Sequence, residues 1–163
     1  MQSQRSGSRT RLAIVGALVG IGALLSTACV PPTPGPDASY ITIRDPWSLS
    51  AGAGSMSAAL GVLVSSADHT VTVVSATSDA SPDMQLHETV PNGHGGTTMQ
   101  PKVGGFPIPA GGEYVLQPGG DHLMLMHLDH AVVAGDDVHV TLTFGDGSTL
   151  QFTAPARNFT WPM

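Results

Sequence analysis

From Tyr40 onward, Val, Thr, Ile and Leu come in short runs broken every few residues by Gly, Pro, Asp or Ser, and no long stretch places its apolar residues at helical spacing. Runs of that length and composition read as strands ended by turns. The expected strands cover residues 40–44, 57–65, 70–77, 83–90, 98–103, 106–108, 113–116, 122–128, 137–144 and 149–154. Many short strands at close spacing predict an antiparallel all-β domain, either a β-sandwich or a Greek-key barrel. Gly145-Asp146-Gly147, set between two alternating runs, is a strong hairpin signal because Gly and Asp accept the positive φ angles of a tight turn. Pro91 to Gly96 is a second, looser hairpin tip.

The first residues belong to something else. Arg5, Arg9 and Arg11 precede an apolar run from Leu12 to Leu25, and Ser26-Thr27-Ala28-Cys29 follows. Basic, apolar and small is the order of a secretory signal, and a run of about fourteen residues is short of the roughly twenty a spanning helix needs. Cys29 is the single cysteine. Its position resembles that of a bacterial lipobox cysteine, which implies cleavage before it and attachment of a diacylglyceryl anchor; the position three before it holds Ser26, where a lipobox usually has Leu. A lipidated Cys29 leaves neither a free thiol nor a disulfide. Val30 to Pro36 is Pro-rich and reads as an extended spacer, since Pro fixes φ and removes a donor. The expected organisation is a signal peptide at 1–28, a tether at 29–38, a β domain at 39–155 and a tail at 156–163.

Past the signal, Arg44, Lys102 and Arg157 stand against twelve acidic residues, a net charge of −9 with His neutral. Nucleic acid and anionic head groups are poor partners for such a surface. No Ser-His-Asp arrangement, paired carboxylates or Gly-rich phosphate loop stands out.

The residues suited to chemistry are soft metal ligands. On a strand through His122-Leu123-Met124-Leu125-Met126, the His and both Met share one face and the two Leu point to the other. His122 and Met124 are then about 7 Å apart at Cα, within common reach of one ion. In Met84-Gln85-Leu86-His87, Leu86 is expected in the core and His87 outward, at the start of the hairpin whose return strand begins near Met99. Pairing of that hairpin would bring Met99 across from His87. Two imidazoles and two thioethers make a neutral, soft set that favours Cu(I); without thiolate or carboxylate it argues against structural zinc, calcium and magnesium. A blue-copper site would need a Cys thiolate that the domain lacks.

These residues resemble the periplasmic copper chaperones of the PCuAC domain. The resemblance runs from Asp45-Pro46-Trp47 through Leu86-His87-Glu88-Thr89, Ile108-Pro109-Ala110-Gly111-Gly112 and Leu116-Gln117-Pro118-Gly119-Gly120-Asp121-His122-Leu123-Met124-Leu125-Met126 to Thr141-Leu142-Thr143-Phe144-Gly145-Asp146-Gly147. It implies a cupredoxin-like Greek-key fold and Cu(I) ligation by His87, Met99, His122 and Met124. The intervals before and after Met99 are eleven and twenty-two residues, each one longer than in the family pattern. A bulge near Pro101, which cannot donate to a ladder, is the expected way to absorb the difference. His94, at the hairpin tip, and Met126 are candidates for auxiliary contact with the metal, and His127 and His130 are placed near them.

The resemblance further implies a non-catalytic, membrane-tethered extracytoplasmic chaperone, monomeric, that hands Cu(I) to an acceptor protein such as a cytochrome oxidase subunit or its assembly factor. Cu(II) held through the His residues is a second possible cargo. The competing readings are a surface lipoprotein whose β-sandwich binds a partner, and a copper oxidoreductase cycling at the same site.

Overall fold

The computed structural model describes residues 35–159; the signal peptide, Cys29 and the start of the tether lie outside the described residues. Asp37–Tyr40, which spans the end of the expected tether and the start of the expected domain, is a single 3-10 turn, so the first strand begins at Ile41 and not at Tyr40. Asp37 N–H donates to Asp146 Oδ2 and Ala38 N–H to Ser148 Oγ, each at 2.9 Å.

Ten strands follow: β1 (Ile41–Leu49), β2 (Ser57–Ser65), β3 (Val71–Ser78), β4 (Met84–Pro91), β5 (Thr97–Pro101), β6 (Phe106–Ile108), β7 (Glu113–Leu116), β8 (His122–Leu125), β9 (Asp137–Phe144) and β10 (Thr149–Arg157). Their hydrogen bonds form one path in the order β5-β4-β8-β2-β1-β10-β9-β3-β6, with β7 also on β2. The β1–β10 junction is parallel and the other pairs are antiparallel. Packing of β3 on β4, and of β6 on β7 and β2, folds the path over a shared core. The architecture is the expected all-β, cupredoxin-like β-sandwich.

Alternation explains the core. Val138, Val140, Leu142 and Phe144 of β9 point inward and are buried, while His139 points out. They meet Leu63 of β2, Leu86 of β4 and Leu123 and Leu125 of β8 in one apolar cluster. Two glycines sit where a side chain has no room. A Cβ on Gly105 would lie 2.1 Å from the Val73 carbonyl oxygen, and one on Gly61 would lie 3.2 Å from the Arg44 carbonyl oxygen. The latter contact comes from an irregularity in β1, where the register shifts between Arg44 and Trp47 and Asp45 takes φ +49°.

One arrangement sets up the site. β8 and β7 lie end to end along the same side of β2, with Ser57 to Ala59 facing β8 and Gly61 to Val64 facing β7. Between them the chain turns through Pro118-Gly119-Gly120, closed by Gln117 N–H donating to the Asp121 carbonyl at 2.9 Å, with Gly119 at φ +75°. The turn delivers His122 as the first residue of β8, between β2 and β4.

Candidate metal centre

β8 carries the expected alternation: Leu123 and Leu125 are fully buried in the core, and His122 and Met124 share the other face. The strand ends at Leu125, earlier than the expected 128, so Met126 is not part of it. The Met126 N–H instead bonds the Asp83 carbonyl at 2.9 Å as the chain leaves the sheet.

On the neighbouring strand His87 is directly opposite His122, Leu86 opposite Leu123 and Gln85 opposite Met124. The two imidazoles meet edge to face, with centroids 5.6 Å apart and planes at 70°. Contrary to the outward placement expected for His87, both are buried, at 6 % and 2 % exposure. The reason is position: on its own face of the sheet His87 lies between its two cross-strand partners, Pro101 of β5 and His122 of β8, with the His122 ring packed against it.

The hydrogen bonds of the pair determine which nitrogens are available. His122 Nδ1 lies 2.9 Å from the Gly120 carbonyl oxygen, which only accepts, so Nδ1 carries the proton and Nε2 keeps its lone pair. His87 Nε2 lies 3.0 Å from Gln85 Oε1, and the Gln85 amide is oriented by its own Nε2 donating to Asp83 Oδ2 at 3.1 Å. His87 is therefore protonated on Nε2 with Nδ1 free. His87 Nδ1 and His122 Nε2 are two of the buried side-chain atoms among the described residues that lack a hydrogen-bond partner. Leaving one buried acceptor unpaired costs about 1–3 kcal/mol, and here two lone pairs sit in adjacent rings. A lone pair on an imidazole nitrogen is what a Lewis acid or a hydrogen-bond donor would satisfy. Burial, and next to it the neighbouring His122, push the His87 pKa below its ordinary value, which keeps the ring neutral and able to ligate.

One thioether comes from β8 itself and the other from β5. Met124 lies between Ala58 of β2 and Gln85 of β4. Met99 of β5 pairs with Thr89, and His87 pairs with Pro101, so the expected direct pairing of Met99 with His87 is corrected by two positions. The ladder runs without interruption from His87–Pro101 to Pro91–Thr97, so the expected bulge near Met99 is also absent. Pro101 is accommodated because β5 is an edge strand. The tip, where Asn92 N–H bonds the Gly96 carbonyl at 3.0 Å, sets this register. Positions 87 and 89 share a face, as do 99 and 101, so Met99 remains a diagonal neighbour of His87. Met99, His122 and Met124 line one pocket of about 220 Å³, whose wall also includes Leu49, Met56 and Ala58. His87 stands next to His122 without lining it.

His94 is exposed at the hairpin tip, its N–H bonded to Asn92 Oδ1, and neither it nor Met126 lines the pocket. His127 and His130 are exposed. Among the described residues no three of His, Cys, Asp and Glu converge on a metal-sized site, and the pocket beside His122 is lined by Met56, Met99 and Met124.

A charged brace missed in the sequence supports the His122 turn. Lys102 Nζ contacts Glu88 Oε2 at 2.9 Å and Asp121 Oδ2 at 3.4 Å, and Tyr114 OH donates to Asp121. Thr89 Oγ1 donates to the Gly120 carbonyl, the same oxygen that holds His122. Gln85 was legible in principle, since it lies two residues before His87 on the same strand face; the Gly120 carbonyl carries no side-chain signal.

A family model described as "Putative lipoprotein LpqE-like" matches residues 41–156. The protein named "Putative lipoprotein Lxx21020" from Leifsonia xyli subsp. xyli is 44% identical over 127 residues, covering 78% of this chain and 75% of that protein. Among solved structures, the apo PCuAC domain from PmoF1 aligns with TM-score 0.59 at 14% identity, over 76% of this chain and 98% of that one. The copper-bound PCuAC domain from PmoF2 gives 0.56 at 20% identity, over 74% and 94%. The solution structure of CuI-DR1885 from Deinococcus radiodurans gives 0.52 at 28% identity, over 74% and 82%. With a family match spanning most of the β domain and the fold shared with these structures, the chain belongs to the LpqE-like lipoprotein family and is built on the PCuAC fold.

Proposed function

We propose that this protein is an extracytoplasmic copper chaperone, tethered to the membrane through lipidated Cys29, that binds Cu(I) through His87, Met99, His122 and Met124. The observation that carries the reading is the pair of opposed, buried imidazoles whose free nitrogens, His87 Nδ1 and His122 Nε2, have no protein partner. The likeness to copper-bound PCuAC domains supports copper as the cargo.

The donor set is neutral and soft, which suits Cu(I) over harder divalent ions. Met99 is 43 % exposed on an edge strand, so one ligand is within reach of an incoming acceptor. His122 and His87 are locked by the backbone carbonyl and the Gln85 amide. A rigid imidazole half and an accessible thioether half suit transfer by ligand exchange, in which an acceptor's ligand replaces Met99 before the imidazoles let go. The reading carries no catalytic role. The acceptor is a copper protein outside the cytoplasm, such as a cytochrome oxidase subunit or its assembly factor. Residues 1–28 direct export, and 29–38 space the domain at 39–155 from the lipid.

Anaerobic competition between the purified protein and a chromophoric Cu(I) chelator tests the site. The expected result is one tightly held Cu(I) with sulfur and nitrogen scatterers in X-ray absorption. Unchanged affinity in a His122→Ala/Met124→Ala variant, or a spectrum with no sulfur near copper, overturns the assignment. Copper-dependent loss of oxidase activity in a deletion strain tests the acceptor.

A further inference from the structure

The pocket that holds His122, Met99 and Met124 has a fourth soft donor in its wall, one that lies on a segment no part of the ligand pattern reaches. Met56 directly precedes β2, in the same alternation as Ala58, which is paired with Met124. Its side chain is 57 % exposed, more open than that of Met99. An exposed methionine is ordinary by itself; what marks Met56 is that it lines the same pocket as Met99, Met124 and His122. Of the rest of the wall, Leu49 and Ala58 carry no side-chain donor atom, and the Ser57 hydroxyl, a hard oxygen, is engaged with the Leu49 carbonyl at 2.7 Å.

We infer that Met56 is a further thioether donor to the copper cargo, completing with Met99, Met124 and His122 a cup of three sulfurs and one nitrogen on the open side of the pocket. This deepens the proposed function and rests on it. The chemistry follows from the placement. Thioether sulfur is a weak, neutral, exchangeable ligand for Cu(I), and three of them around one pocket allow one to leave while the ion stays held. Met is unbranched with three rotatable bonds, so an open Met56 can follow the ion without moving the backbone. Copper then has two ways to be held, toward His87 and toward Met56, with His122 common to both. The cargo class is a soft monovalent d10 ion, Cu(I) or its surrogate Ag(I).

The test uses protein labelled with 13C at the methionine methyl groups, titrated anaerobically with Ag(I) and then with Cu(I) held reduced by ascorbate. Met84, packed against the core, serves as the internal reference. The expected result is that the Met56, Met99 and Met124 methyl signals shift together at one equivalent while that of Met84 stays in place. Met56→Leu conserves volume and removes the sulfur. It is expected to weaken Cu(I) retention against the chelator about tenfold, on the order of what losing a supporting partner at a metal site costs. Shifts at Met99 and Met124 without one at Met56 overturn this inference and leave the proposed function standing. A Met56 shift with unchanged affinity in Met56→Leu reports proximity alone and also overturns it. If no methyl signal moves and His122→Ala retains full affinity, the proposed function falls and this inference with it.

Discussion

His87 and His69 carry the same ring in opposite surroundings. His69, in the segment between β2 and β3, is nearly half exposed, with Nε2 3.0 Å from Asp37 Oδ1 and Nδ1 2.9 Å from Asp68 Oδ1. Both nitrogens face carboxylates, a setting made for the imidazolium, and the hydrogen bonds to Asp37 and Asp68 raise the His69 pKa. His87 is enclosed between strands, gives one N–H to an amide oxygen, and has its pKa lowered by burial. A protonated ring repels a metal ion and a neutral one binds it. The contrast shows that counting histidines says little about metal binding; what each nitrogen faces decides it.

The largest way to break this comparison is to remove one ring from each place. His122→Ala is expected to weaken Cu(I) binding by at least about 100-fold, beyond what loss of a supporting partner costs, and His69→Ala to leave it unchanged. Chelator competition measures both, and equal effects would erase the distinction.

Leu123→Ala tests how far the site depends on the core beneath it. The residue is fully buried, so the truncation should cost about 2–5 kcal/mol, read as a lower urea midpoint, and should loosen the His87–His122 pairing in the same strands. Unchanged stability would mean that β8 is not anchored as described.

Gln85→Leu is a smaller and sharper change. It removes the oxygen that keeps the His87 proton on Nε2, and Cu(I) affinity should fall about tenfold with the fold intact by circular dichroism. No loss would show that the His87 tautomer needs no support.

The smallest effect is in pH, and it has opposite signs at the two rings. In the apo protein the His87 signal should titrate below 6.5 and that of His69 above it, measured by imidazole NMR. The unfolded chain's His87 takes its proton near 6.5 while the folded one holds out lower, so its contribution to stability is present above 6.5 and is lost as pH falls through the folded value. For His69 the contribution is present below 6.5 and is lost as pH rises through its raised folded value. Its exposure makes that second effect slight and sensitive to salt.

Much of this was legible in the amino-acid sequence. The strands of the β domain, the Gly145-Asp146-Gly147 hairpin, and the shared face of His122 and Met124 follow from alternation and turn chemistry, which act between near neighbours. The β4–β5 register did not follow. Gly93, Gly95 and Gly96 allow more than one tip length, and each alternative shifts Met99 along His87's strand. The burial of His87 was illegible for a related reason, since a lone strand does not reveal which side chains its neighbours place beside it.

By itself, then, the sequence determined an all-β domain whose copper-suited residues are His and Met in place of Cys, because residue type and period-two alternation are local properties. Only the tertiary structure decided that His87 and His122 stand opposite one another, that Gln85 and the Gly120 carbonyl leave one lone pair free on each, and that Met56 shares a pocket with Met99 and Met124. Those relations join segments far apart in the chain, and they exist only once strand order and register have brought the segments side by side.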